Sequence, residues 1–322
     1  MRFVFGAAVL ILCNVVIAPP ARAVDFETWL DGVRAEALAG GISQATVDAA
    51  LRDTQPIARV IELDRRQPEG RITFAQYLVS RVPDSRVETA RARLRSHRAL
   101  LDEVAARYHV QPRFIVALWG LESDFGRYMS PFPVIDSLAT LAHDGRRGDY
   151  FRAELLAALR IIDGGHIAAG DMRGSWAGAL GQCQFMPSNF FKFAVDYDND
   201  GRRDIWGTLP DVFASIANYL ASFDWRDDQT WGREVRLPAG FDQSLVGLDT
   251  IKPIGAWQGL GARLPDGGDL PARQLPASIV MPDGAGGQAY LVYGNFRAIL
   301  DWNRSTYFAL SVGILADRVW SR

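Results

Sequence analysis

The feature that most constrains this chain is a helix that puts an acid where apolar side chains belong. Pro112 suits a first-turn position, where its missing N–H leaves no bond unmade and its fixed φ favours helix. Phe114, Ile115, Leu118 and Trp119 then recur at helical spacing on the way to Gly126. Glu122 falls on the same stripe, with Trp119, Leu118 and Ile115 three, four and seven residues before it. An unpaired carboxylate among such neighbours is costly to ionise. It escapes by holding its proton, which carries its pKa toward the range of a useful general acid. The alternative use of a Glu here is pairing with an arginine or capping a backbone amide. Asp124 lies two residues on and faces elsewhere, so the two acids do not make a two-carboxylate glycosidase site.

Around this helix the chain reads as mainly α. Residues 24–110 are a helical segment, with Phe26, Trp29, Leu30 and Val33 and then Leu94, Leu101, Val104 and Ala105 at helical spacing. Residues 111–228 follow, with further helices over Tyr150–Ile162 and Val212–Phe223. From 229 to 290 the composition shifts to eleven Gly and six Pro around short apolar runs such as Glu234–Leu237 and Ser278–Met281, the signature of a small turn-rich β insertion. Helical character returns over 291–322, making the fold class mainly α (α+β).

The start of the chain has a targeting pattern. Arg2 precedes an apolar run from Phe3 to Ile17, and Ala21-Arg22-Ala23 is a small-x-small cleavage site. The run is short for a bilayer span, so residues 1–23 are expected to be a signal peptide. Leu12 stands where a small residue would precede a lipidated Cys13, which argues against a lipid anchor. Loss of residues 1–23 removes Arg2 and Arg22 and leaves 33 basic against 37 acidic residues. That balance gives no basic stripe for nucleic acid. Cys183 is then the only cysteine, so no internal disulfide is expected and stability must come from the core. The nine Trp serve either core packing or a sugar-lined cleft.

Two further segments carry candidate chemistry. Gly174–Ser188 holds three Gly, two Gln and two Ser among aromatic residues. It suits a groove in which amides bind hydroxyl and acetamido groups, or else a tight helix–loop packing site. Asp196-Tyr-Asp-Asn-Asp-Gly-Arg-Arg-Asp204 places Asp at positions 1, 3, 5 and 9 and Gly at 6, the first half of an EF-hand loop. Position 12 is Gly207, so Asp211, at position 16, would close a calcium site from the next helix. The other reading is a solvated acidic turn.

Ala117–Arg127, Ser175–Pro187, the Asp-rich loop and Asn295–Ser305 resemble, in order, the lytic murein transglycosylase B family; Leu63–Glu69 and Asp136–Ala142 fit as well. The resemblance covers nearly all of the chain after residue 23. It implies a lysozyme-like catalytic core flanked by the helical segment and the β-rich region, completed by 291–322. It assigns the single catalytic acid to Glu122 and substrate contacts to Ser175, Gln184, Tyr219 and Asn303. Arg146 and Arg147 match a basic pair near the stem-peptide side. A structural Ca2+ would be held by Asp196, Asp198, Asp200, Asp211 and Arg202, the last through its backbone carbonyl. The loop is one residue longer than the family pattern, and Phe308, next to Tyr307, replaces a family Tyr. The implied activity is cleavage between N-acetylmuramic acid and N-acetylglucosamine with a 1,6-anhydromuramyl product, without an organic cofactor. A hydrolytic muramidase is the alternative, and a non-catalytic wall-binding protein a more distant one. The implied setting is the periplasm, the implied partners peptidoglycan glycan strands and cell-wall synthesis or remodelling machinery, and the expected state a monomer.

Overall fold

The structure, a computed structural model, describes residues 25–66 and 72–320. The expected signal peptide and residues 67–69 of the Leu63–Glu69 motif lie outside the described residues. Six helices come first: α1 (Phe26–Ala39), α2 (Gln44–Leu51), α3 (Ala58–Arg65), α4 (Phe74–Arg81), α5 (Asp84–Ser96) and α6 (Arg98–Tyr108). Side chains that satisfy free backbone N–H groups start several of them. Asp25 and Ser43 cap α1 and α2, and Thr73 with Gln76 forms a reciprocal capping box on α4.

The centre is α7 (Pro112–Ser123), followed by β1 (Phe132–Pro133), α8 (Val134–Asp144), α9 (Gly148–Asp163), β2 (Arg173–Gly174), α10 (Pro187–Phe193) and α11 (Leu209–Ala221). Every residue of α7 from Phe114 to Leu121 is buried. A helix apolar all round has to be wrapped by others, and α5, α6, α11 and the last helix of the chain do this.

The Gly- and Pro-rich stretch forms β3 (Gly232–Val235), β4 (Gly247–Pro253), α12 (Ile254–Gly259), β5 (Pro276–Val280) and β6 (Ala289–Val292), in one antiparallel sheet ordered β3-β6-β5-β4. Side chains alternate across a strand, and β6 uses both faces. Ala289 and Leu291 enter a small core with Ile279 and Trp257, whereas Tyr290 and Val292 join the main core. That alternation docks the sheet on the helices. The chain closes with α13 (Gly294–Trp302) and α14 (Thr306–Trp320). The expectation of a mainly helical fold with a small β insertion therefore holds. Trp119, Trp231 and Trp257 are core side chains, and only Trp320 is exposed among the nine.

Candidate active site

The site is built at the C-terminal turn of α7. The spacing predicted a helix to Gly126, but it ends at Ser123 because Asp124, Phe125 and Gly126 all take positive φ, at 50°, 61° and 76°. Left-handed backbone is strained for residues with a Cβ, and the turn holds it with local bonds. Asp124 N donates to Gly120 O at 3.1 Å, Phe125 N to Trp119 O at 3.2 Å and Tyr128 N to Ser123 O at 3.0 Å. Gly126 is needed for space as well as for φ, since a Cβ there would lie 2.4 Å from Gln182 Oε1.

Glu122 sits on the last turn, above buried Ile115, Leu118 and Trp119 and only partly exposed itself. Its Oε1 accepts from Trp302 Nε1 at 2.7 Å. Burial pushes its pKa up to about 7, against the opposing pull of the Trp302 bond and of the Arg81 charge. At neutral pH much of the population therefore carries a proton next to a fixed donor, which is what a general acid requires. Asp124 turns away, pairing with Arg127 at 2.8 Å and Arg86 at 3.6 Å. No second carboxylate faces Glu122 from its own turn.

Trp302 lies within the Asn295–Ser305 motif, and its signal in the sequence is an aromatic N–H donor beside Asn303. It leans on Tyr219 and Phe185, with ring centroids at 4.7 and 5.2 Å. Tyr219, expected as a substrate contact, is only 4% exposed and donates its hydroxyl to Asp301 O at 2.7 Å. The structure thus places Tyr219 beneath Trp302, as a support for the end of α13. Burial pushes its phenol up to about 12, so it remains a donor.

The glycine-rich segment packs tightly at some positions and leaves polar side chains partly exposed at others. Gly174 is a packing residue, because a Cβ would sit 2.1 Å from Ala179 O. Gln182 is buried and ties Trp119 Nε1 (2.6 Å) to Trp206 O (2.7 Å). Ser175 and Gln184 stay partly exposed. Ser175 Oγ accepts from Ala179 N at 2.9 Å, which leaves its own proton to donate, and Gln184 Nε2 donates to Gly181 O at 2.9 Å. Asn303 is exposed at the C-terminus of α13, its Oδ1 accepting from Ser305 N at 3.0 Å.

Arg146 and Arg147 lie in the turn between α8 and α9. Both pair with Asp64 of α3, Arg146 Nε at 2.7 Å and Arg147 at 2.9 Å. Burial pushes the Asp64 carboxyl up, but the two guanidinium groups outweigh it and hold the pKa below the usual value. With Trp29, Tyr150 and Arg152 the two arginines rim a surface hollow of 610 Å3. Another hollow, of 650 Å3, lies on the β insertion between Arg236, Phe241, Met281 and Gln288, and holds none of the residues grouped around Glu122.

In the Asp-rich loop, Asp196, Asp198 and Asp211 each bring a carboxylate oxygen within 4.8 Å of the other two. Asp211 is fully buried at the start of α11 and accepts from Tyr197 N and Asp204 N, both at 2.7 Å. Burial raises its pKa, with Asp198 and Asp196 adding to the rise. Three hard oxygens with a buried member fit a cation such as Ca2+. Asp200 joins the trio through its backbone N, which donates to Asp196 Oδ1 at 3.1 Å, while its carboxylate accepts from Arg202 N at 2.8 Å and pairs with the Arg202 guanidinium at 3.4 Å. Asp204 instead caps the following turn through Trp206 N, Gly207 N and Thr208 Oγ1.

A family model described as the Transglycosylase SLT domain matches residues 25–317. The chain belongs to that family. The SLT domain here is similar to SltB3 from Pseudomonas aeruginosa, with 50% identity, a TM-score of 0.88 and coverage of 91% of this chain and 79% of that one, in a complex with NAG-NAM-pentapeptide. A second SltB3 structure, with NAG-anhNAM-pentapeptide, matches as well. Membrane-bound lytic murein transglycosylase B from Escherichia coli (strain K12) is 34% identical over 218 residues; the match covers 66% of this chain and spans 58% of that relative's length. Escherichia coli Slt35 in complex with calcium matches at 26% identity and a TM-score of 0.76, covering 91% of this chain and 92% of that one. The expected fold, lysozyme-like and mainly helical, is thus shared with solved lytic transglycosylases. Among the described residues no helix of this SLT domain is long and apolar enough to cross a membrane.

Proposed function

We propose that the protein cleaves the β-1,4 bond between N-acetylmuramic acid and N-acetylglucosamine in peptidoglycan and leaves a 1,6-anhydromuramyl end. The observation that carries this reading is one carboxyl, Glu122, poised near pH 7 on a buried helix end, with Trp302 on one oxygen and Asp124 turned away. Glu122 gives its proton to the glycosidic oxygen as the C1–O bond breaks, and the substrate's acetamido oxygen stabilises the cation-like C1, an exception to the two-carboxylate pattern. Glu122, now ionised, takes the proton of the C6 hydroxyl as that oxygen bonds to C1. Water takes no part.

Ser175, Gln184 and Asn303 bind and orient the sugar, and Arg146 and Arg147 meet carboxylates of the stem peptide at the Trp29 hollow. Asp196, Asp198 and Asp211 hold a structural Ca2+, an ion that the Slt35 complex supports and that fixes the loop without entering the chemistry. The two SltB3 complexes support a disaccharide-peptide as substrate and an anhydro form as product. Residues 1–23 direct the chain to the periplasm.

The test is Glu122→Gln beside Asp124→Asn, assayed on purified sacculi with folding checked by circular dichroism. Glu122→Gln should lose lysis, because the near-isosteric amide can neither give nor take the proton, while Asp124→Asn should keep substantial activity. A folded Glu122→Gln variant that still clears sacculi would remove the assignment.

A further inference from the structure

The helical segment before α7 reaches the acid at one point, the elbow between α4 and α5. Arg81, the last residue of α4, donates from Nη2 to Leu121 O at 3.0 Å. That carbonyl belongs to the peptide just before Glu122. Its regular helical partner would be Phe125 N, but Phe125 N is bonded to Trp119 O instead, so Leu121 O is an orphan of the helix end. A cation there also meets the negative end of the helix dipole. The carbonyl of Arg81 in turn accepts from Arg86, and Arg86 pairs with Asp124 at 3.6 Å. Residues on both sides of Glu122 are thus gripped from the same elbow. The grip falls where Asp124 and Phe125 carry left-handed backbone. Arg81 Nε is buried with no hydrogen-bond partner among the described residues, so the charge of this side chain is not spent on a neighbouring acid.

We propose that Arg81 is a positioning residue for Glu122, holding the turn that carries the acid and stabilising its carboxylate form in the second half of the reaction. This rests on Glu122 being the catalytic acid. The other groups around Glu122 do not supply that charge. Trp302 of α13 is neutral, and Asp124 is engaged by Arg86 and Arg127. Cys183, from the glycine-rich segment, is a buried thiol that burial first and Glu122 second hold protonated. Arg81 is therefore the cation that favours ionised Glu122 from outside its own helix.

The experiment is the pH profile of kcat/KM on a soluble glycan fragment for the parent, Arg81→Gln, Arg81→Met and Arg81→Lys, with melting curves of each. Glu122 must be protonated to start a turnover, so activity falls as pH rises through its pKa. Removing the cation should move that alkaline limb up by about one pH unit and lower the maximal rate; Arg81→Lys should bring the limb back. Arg81→Gln keeps a donor for Leu121 O without the charge and replaces Arg81→Met should that variant melt early. A folded Arg81→Gln protein with an unmoved limb overturns the inference. Glu122→Gln run in parallel separates the two readings: an inactive Glu122→Gln with an unmoved limb in Arg81→Gln removes only the role of Arg81, whereas an active Glu122→Gln removes both.

Discussion

At Glu122 the proposed chemistry and the stability of the fold pull in opposite directions. Three influences meet on it: desolvation, which favours the acid, and the Trp302 N–H and the Arg81 charge, which favour the carboxylate. Desolvation wins, leaving a folded pKa of about 7 against an ordinary value of 4.5. A carboxyl raised in this way binds its proton more tightly in the folded state. Its effect on stability is therefore absent below the unfolded pKa, and the protein loses stability as pH rises toward 7. At one pKa unit per 1.36 kcal/mol, discounted for partial exposure, the loss is roughly 1–3 kcal/mol. Glu122→Gln removes the titration. It should melt close to the parent at pH 4 and clearly above it at pH 8, as differential scanning calorimetry at the two pH values would reveal. A difference independent of pH would mean that Glu122 is not held against its own ionisation.

At the scale of elements, the Asp-rich loop behaves as a joint between α10 and α11, with buried Asp211 gathering backbone N–H groups from both of its ends. A cation bound to the native state alone raises stability by RT ln(1 + [L]/Kd), about 2.7 kcal/mol at a hundredfold excess over Kd. Chelator should lower the melting temperature and calcium restore it, and Asp211→Asn should abolish the difference; a melt indifferent to both would make the loop an acidic turn. This loop also marks what the sequence could convey. The 1-3-5 spacing of Asp196, Asp198 and Asp200 is local and readable, but the pairing of Asp200 with Arg202 depends on rotamers that spacing does not encode. In the same way α7, α9 and α11 were legible because each is long and periodic. The short α12, β1 and β2 carry too few residues for any period to register. The termination of α7 at Ser123 was hidden because two non-glycine residues adopt left-handed backbone. Contacts that join distant stretches, such as Trp302 with Glu122 or Asp64 with Arg146 and Arg147, left no local trace. Glu122 itself stood out because its helical neighbours were all apolar.

At the scale of the molecule, three parts of the chain meet around one short run of contacts. Asp283, in the turn between β5 and β6, accepts from Phe74 N at the start of α4 (2.6 Å) and from the Tyr307 hydroxyl at the start of α14 (2.9 Å). Phe74 packs edge-on against Tyr290 and Tyr307. The sheet, the early helices and the closing helix are thereby fixed to one another. The same α4 delivers Arg81 to the acid, and α13, just before α14, delivers Trp302. Glu122 is set by a frame drawn from distant parts of the described chain. The proposed function adds that the C6 hydroxyl of the sugar, rather than water, completes the reaction. Mass spectrometry of the muropeptides released from sacculi in ¹⁸O-labelled water tests it most directly. The products should be anhydro-muropeptides with no reducing end and no label at C1; reducing ends carrying ¹⁸O at C1 as the main product would contradict the account and make the protein a hydrolase.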